Sequence, residues 1–194
     1  MLSERSEPNY LENPRYSFQN SGRSYTDVGH TMQRYFLSRK STFSRSILVK
    51  DSLERIAYTL TRDLGTHINY TFLEGASEKI LFQGSRKAIK SSIIFKSFLQ
   101  SVEFELKKVK FFSFIYQFNW NAETYQWKRT GFGTLSMECI CPRTGVKYAE
   151  YKWKAMALKN MGTLDIHPSA LKDPMLQSLL LATGLFLVDL AHDS

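Results

Sequence analysis

Between Met175 and Leu190 the chain reads MLQSLLLATGLFLVDL, where only Gln177, Ser178, Thr183 and Asp189 are polar and do not form one continuous stripe. A helix apolar on every side has to be enclosed, by protein or by lipid. Length weighs between the two. At about 1.5 Å per residue this stretch spans roughly 24 Å, short of the roughly 30 Å hydrocarbon core of a bilayer. Enclosure by protein is therefore favoured over a membrane anchor. Asp173 is placed to cap the helix, and Pro174 suits its first turn, where the missing N–H would be unpaired anyway. The expected helix runs over about 174–190.

What precedes it supplies the enclosure. From Ser46 onward the apolar residues recur every second position, the mark of half-buried strands. Ile56, Tyr58 and Leu60 share one side of RIAYTLT, and Ile68, Tyr70 and Phe72 share one side of THINYTFL, with a turn at Asp63-Leu64-Gly65 between them. Val102, Phe104 and Leu106 alternate with Glu103 and Glu105, and the alternation slips at Lys107-Lys108, which predicts a bulge or bend there. Phe112, Phe114, Tyr116, Phe118 and Trp120 make one aromatic side of a long strand. Further strands are expected in YQWKRT, TLSMECIC, VKYAEYKWKAMAL and TLDI, with turns at Asn119–Thr124, Pro142–Gly145 and Asn160–Gly162. The segment SRKAIKSSIIFKSFLQ fits either spacing in part and is expected as a turn or short helix followed by a strand. Strands with one strongly apolar face, closed around the terminal helix, bury both surfaces and leave no sheet edge. The fold class expected is mainly β (α+β), a closed antiparallel β-barrel enclosing its C-terminal helix. Residues 1–44, rich in Ser, Asn, Arg and Gly, are expected mostly as a flexible tail, with Met32–Phe43 open to lying against the domain, which is placed at 45–194.

Chemical motifs are scarce. Cys139 and Cys141 are the only cysteines, and two positions apart on a strand they lack disulfide geometry. No second ligand pair stands at finger spacing, so no metal is expected. Gly131-Phe132-Gly133 is not followed by a helix or by the Lys-Ser/Thr of a P-loop, and neither GxSxG nor HExxH occurs. No catalytic residue and no cofactor are expected. The opening MLSERSEPNYLENPR has neither an apolar run nor an Arg-rich amphipathic pattern, which predicts an intracellular, cytoplasmic protein. The formal net charge is +8, and residues 79–110 hold eight basic residues against Glu103 and Glu105. Such a concentration suits a phosphate-bearing partner, lipid headgroup or nucleic acid.

The strand Tyr125-Gln126-Trp127, the GTLDI strand at 162–166 and the apolar LLLATGLFLVD helix together resemble the tubby C-terminal-like superfamily, which groups tubby proteins, phospholipid scramblases and LURP-one-related proteins. The match spans about residues 46–192 and looks closest to an uncharacterised fungal branch. The resemblance implies a helix-filled barrel and, as its function, membrane-surface binding through basic residues on adjacent strands and loops. It transfers no ligand residue by alignment.

The function expected is thus a non-enzymatic, monomeric module docking on anionic phospholipid or phosphoinositide headgroups. The candidate residues are Arg86, Lys87, Lys90, Lys107, Lys108 and Lys110, with Lys128, Arg129, Lys152 and Lys154 on neighbouring strands. Two alternatives stand beside it: a nucleic-acid or protein adaptor using the same patch, and a scramblase-like lipid protein. The first needs exposed aromatics for base stacking, whereas the alternating Phe and Trp set is expected inside. The second needs an accessible interior, which a helix-filled barrel lacks.

Overall fold

The computed structural model describes residues 31–41, 44–64, 67–75, 77–87, 92–99, 101–110, 113–131, 133–155 and 159–192. Twelve strands form one closed antiparallel barrel: β1 Gln33–Arg39, β2 Ile47–Lys50, β3 Ile56–Leu64, β4 His67–Glu74, β5 Lys79–Lys87, β6 Ser92–Ser97, β7 Glu103–Lys108, β8 Ile115–Trp120, β9 Glu123–Arg129, β10 Met137–Ile140, β11 Lys147–Trp153 and β12 Asn160–Ile166. Each strand pairs with its sequence neighbours, and β1 closes the ring against β12. A short helix, α1 (Pro168–Leu171), leads to α2 (Pro174–His192), which runs through the barrel.

The helix is buried at fourteen positions from Met175 to Ala191, on all sides, as its composition demands. Asp173 caps it as expected, accepting from the backbone N–H groups of Met175 and Leu176 at 3.0 Å each. The other carboxylate oxygen of Asp173 accepts from the Trp120 indole at 2.8 Å, which fixes the helix start to the end of β8. The two polar groups carried deepest are both partnered. Thr183 accepts from the indole of the fully buried Trp127 at 3.0 Å, and Asp189 pairs with Arg62 of β3 at 2.8 Å. Gly184 sits beneath Trp127, where a Cβ would lie 3.0 Å from the ring.

Several expectations are corrected. The span read as tail supplies β1: Tyr35 and Leu37 face the core, and Arg34 and Phe36 face outward. Without β1, strands β12 and β2 would be left as edges. Of the bulge or bend expected at Lys107-Lys108, the chain takes the bend, at Val109 just beyond the pair, and the pairing itself carries no bulge. β7 keeps its pairing through Lys107↔Gln117 and Lys108↔Tyr116, so Lys108 continues the inward series Phe104, Leu106. The strand through Tyr116 begins at Ile115; Phe112 lies outside the described residues. The turn after it narrows to Asn121-Ala122, both at positive φ (48° and 60°), the two-residue geometry that matches strand twist. Asn160–Gly162 is not a turn but the start of β12. SIIFKS is a strand, which settles the ambiguity on the side of β6, while residues 88–91 lie outside the described set.

Candidate functional site

Strict up-and-down order sends alternate connections to opposite ends of the barrel. The β1–β2, β3–β4, β5–β6, β7–β8, β9–β10 and β11–β12 connections share the end where α2 finishes. Taking the connections and the two strand residues flanking each side, this end carries Arg39, Lys40, Arg45, Arg86, Lys87, Lys107, Lys108, Lys110, Lys128, Arg129, Lys152, Lys154 and Lys159. Only Asp63 and Glu138 oppose them, thirteen basic residues against two acids among the described residues. The opposite end, counted the same way, has eight of each: Arg34, Lys50, Arg55, Lys79, Lys96, Arg143, Lys147 and Lys172 against Asp51, Glu54, Glu74, Glu78, Glu103, Glu123, Asp165 and Asp173. The charge is therefore strongly one-ended.

Inside the barrel the two ends also differ. Toward the balanced end the wall is a belt of aromatic rings in contact, Tyr35, Tyr58, Phe72, Phe82, Phe104, Phe118, Tyr125 and Tyr148, with successive centroids 5.0–6.2 Å apart where they meet. Toward the basic end the inward positions become cationic. Arg62 follows Leu60, Arg86 follows Phe82 and Gly84, Lys108 follows Leu106, and Arg129 follows Tyr125 and Trp127. Arg129 lies 4.5 Å over the Phe114 ring. Burial raises the Tyr116 phenol above its ordinary range, and the charges of Arg86 and Arg129 act to pull it back down. Both positive charges thus act on the same hydroxyl. Lys108 is the strand partner of Tyr116.

The expected site residues separate into groups. Arg86, Lys107, Lys108, Lys110, Arg129 and Lys154 belong to the basic end; Lys107, Lys110, Arg129 and Lys154 are exposed there. Lys87 ends β5 at the same level, and Lys90 lies outside the described residues. Lys128 and Lys152, at the same end, are already engaged in an ion-pair ladder that runs along the outer wall. Lys128 and Lys147 hold Glu138 at 3.3 and 2.9 Å, Lys152 bridges Glu150 and Asp165 at 3.3 and 3.2 Å, and Arg34 reaches Asp165 at 2.8 Å. The segment 79–110 is not one patch, since Lys79 and Lys96 stand toward the balanced end. Arg39, Lys40, Arg45 and Lys159, which the linear charge run missed, join the basic end through the β1–β2 and β11–β12 connections. Counting charge over alternate connections of a meander would have found them.

The ladder has a pH consequence. Burial alone would raise the Asp165 carboxyl, but hydrogen bonds from Arg34 and Lys152 outweigh it and hold the pKa below the ordinary value; Lys147 holds Glu138 low against the same effect. A depressed carboxylate contributes stability above its unfolded pKa and loses it as pH falls through the folded one. The barrel is expected to weaken below about pH 4, the ordinary carboxylate range. In Arg34→Ala, Asp165 protonates earlier on acidification. A circular-dichroism acid titration should show the Arg34→Ala midpoint shifted upward; coincident midpoints would show that the pair carries no pH-linked stability.

Cys139 and Cys141 are both buried and free, and among the described residues no group of three or more metal-ligating side chains forms.

No family model and no curated protein sequence matches this chain. Among solved structures, the X-ray structure of the Arabidopsis thaliana protein AT5G01750 superposes with a TM-score of 0.59 at 11% identity, over 87% of this chain and 99% of that one. At that identity the likeness is one of fold.

Proposed function

We propose that this chain is a non-enzymatic module that docks end-on against an anionic phospholipid surface through the basic mouth of its barrel, and that its kinship lies with the fungal branch of tubby-like domains that its sequence resembles. The observation that carries the reading is the charge asymmetry: thirteen basic residues against two acids at one end, eight against eight at the other. A planar surface of like charges meets a flat ring of cations most fully when the ring faces it. Each Lys or Arg held near an anionic leaflet contributes about 1 kcal/mol, so four to six in register suffice for salt-sensitive recruitment. Val109, 40% exposed between Lys108 and Lys110, gives this end an apolar contact as well.

Vesicle co-sedimentation tests the reading. Wild type is expected to pellet with vesicles containing phosphatidylserine or phosphoinositide and to stay in solution with neutral ones. Lys107→Glu/Lys108→Glu/Lys110→Glu is expected to lose about 100-fold in partitioning, from about 1 kcal/mol for each lysine. Lys50→Glu/Lys79→Glu/Lys172→Glu makes the same charge change at the other end and is expected to lose far less. Equal pelleting of all three proteins, or none by wild type, would refute the reading.

A further inference from the structure

A second, unrelated concavity lies on the outer wall, a half-open groove of about 680 Å³ across β4, β5, β6 and β7. Strand register sets its walls as two rows. One row runs Asn69, Ser85, Ile94, Glu105, each the cross-strand partner of the next. The other runs Thr71, Gln83, Lys96, Glu103. Gly84 lies under the groove. On its inner side the space of a side chain is taken by the Phe95 ring, to which a Cβ would come within 2.8 Å.

The groups in these rows are not spent on one another. No side chain of either row makes a hydrogen bond with another described residue, and Lys96 forms no ion pair with Glu103 although the two are strand partners. Across β9–β12 and β1, by contrast, oppositely charged neighbours on the outer wall do pair.

The lining selects its ligand by elimination. Two carboxylates oppose an anion, and Lys96, the strand partner of Glu103, opposes a cation. An apolar ligand would strip water from amides, hydroxyls and charges without replacing their hydrogen bonds, at a cost of several kcal/mol. A quaternary ammonium group needs exposed aromatic faces, and no exposed ring lines the groove. What fits is a ligand that both donates and accepts at many points. The amides of Asn69 and Gln83 do both, Glu103 and Glu105 accept, Lys96 donates, and Ile94, 54% exposed, offers a small apolar patch of the kind a sugar ring face covers. We propose that this groove is a binding site for an uncharged polyhydroxylated ligand of about disaccharide size, independent of the basic end.

The test is a titration of the full-length, ¹⁵N-labelled chain by two-dimensional NMR, with maltose, cellobiose and myo-inositol as neutral probes and glucose 6-phosphate and glucosamine as charged ones. At least one neutral probe is expected to shift the side-chain amides of Asn69 and Gln83 and the backbone of β5 and β6 saturably. The affinity should not change between about 50 and 500 mM salt, because no net charge is neutralised. Asn69→Ala/Gln83→Ala, on the solvent side of the sheet, should bind about fivefold weaker or less for each hydrogen bond removed, with an unaltered spectrum elsewhere. Absence of groove shifts with every neutral probe up to about 50 mM, well above a 1 mM Kd, would overturn the proposal. So would tighter binding of a charged probe than of its neutral counterparts, or shifts unmoved by the double substitution. Vesicle binding is untouched by any of these outcomes and is read separately.

Discussion

Replacing Arg62 by alanine is expected to remove about 3–5 kcal/mol of folding stability, because it leaves the carboxylate of Asp189 inside the barrel without its guanidinium partner. The pair closes at 2.8 Å with only 12% of the Arg62 side chain and 1% of the Asp189 side chain exposed, and the Tyr70 hydroxyl donates to the same oxygen at 3.4 Å. Such a pair is worth little in itself, since two desolvated charges recover roughly what they lose. Breaking it is the costly event. Arg62→Met/Asp189→Leu should therefore regain most of the stability lost by Arg62→Ala. Urea denaturation followed by tryptophan fluorescence distinguishes the two. A single variant as stable as wild type would show that the helix is held by packing alone, and a double variant no better than the single would show that the ionic pair is itself favourable.

The second large effect is expected at Gly162. It stands in β12 opposite Trp153 with φ +123°, a region L residues rarely enter, and a Cβ there would lie 2.0 Å from the backbone oxygen of Lys152. No rotamer relieves a clash with backbone. Gly162→Ala has to break the β11–β12 register at this point, and the backbone strain alone is about 1–3 kcal/mol. A loss of at least about 3 kcal/mol in the same denaturation assay is expected once the lost pairing is included. By contrast Gly133→Ala, at φ +71° with open space around it, should cost only the backbone term of about 1 kcal/mol. Equal losses at the two positions would mean that the Lys152 contact is relieved by a backbone shift.

The architecture was legible because its two halves explain each other. The helix from Met175 to Leu190 could not be left bare, and the strands from Ser46 on had one face too apolar for water. The capping of that helix by Asp173 followed from residue type alone. β1 was not legible, because QRYFLSR turns Phe36 outward, 42% exposed, between the inward Tyr35 and Leu37. Three consecutive apolar residues hide a period of two. The slip at Lys107-Lys108 misled for the opposite reason. The alternation continues, but at the mouth the inward position carries a cation in place of an apolar side chain. The candidate site was half visible. Arg86, Lys107, Lys108 and Lys110 follow from charge density along the chain and Arg129 from a neighbouring strand, whereas Arg39, Lys40, Arg45 and Lys159 are brought to the same end by topology. Lys128 and Lys152 look like candidates in sequence only because their acidic partners, Glu138 and Asp165, are remote from the basic run.

The closure of β1 against β12 also sets a clock. It joins Arg34 to Asp165, 131 positions apart, and the core has no lid until that contact forms. Loop entropy makes such long-range closure slow compared with the consecutive hairpins that precede it. Any species in which the hairpins have zipped up but the ring is open holds α2 against an unfinished wall, with its apolar sides accessible. Refolding should therefore be limited by the last seam, and slow refolding at high protein concentration should divert chains into aggregates through the same helix that gives the finished barrel its core.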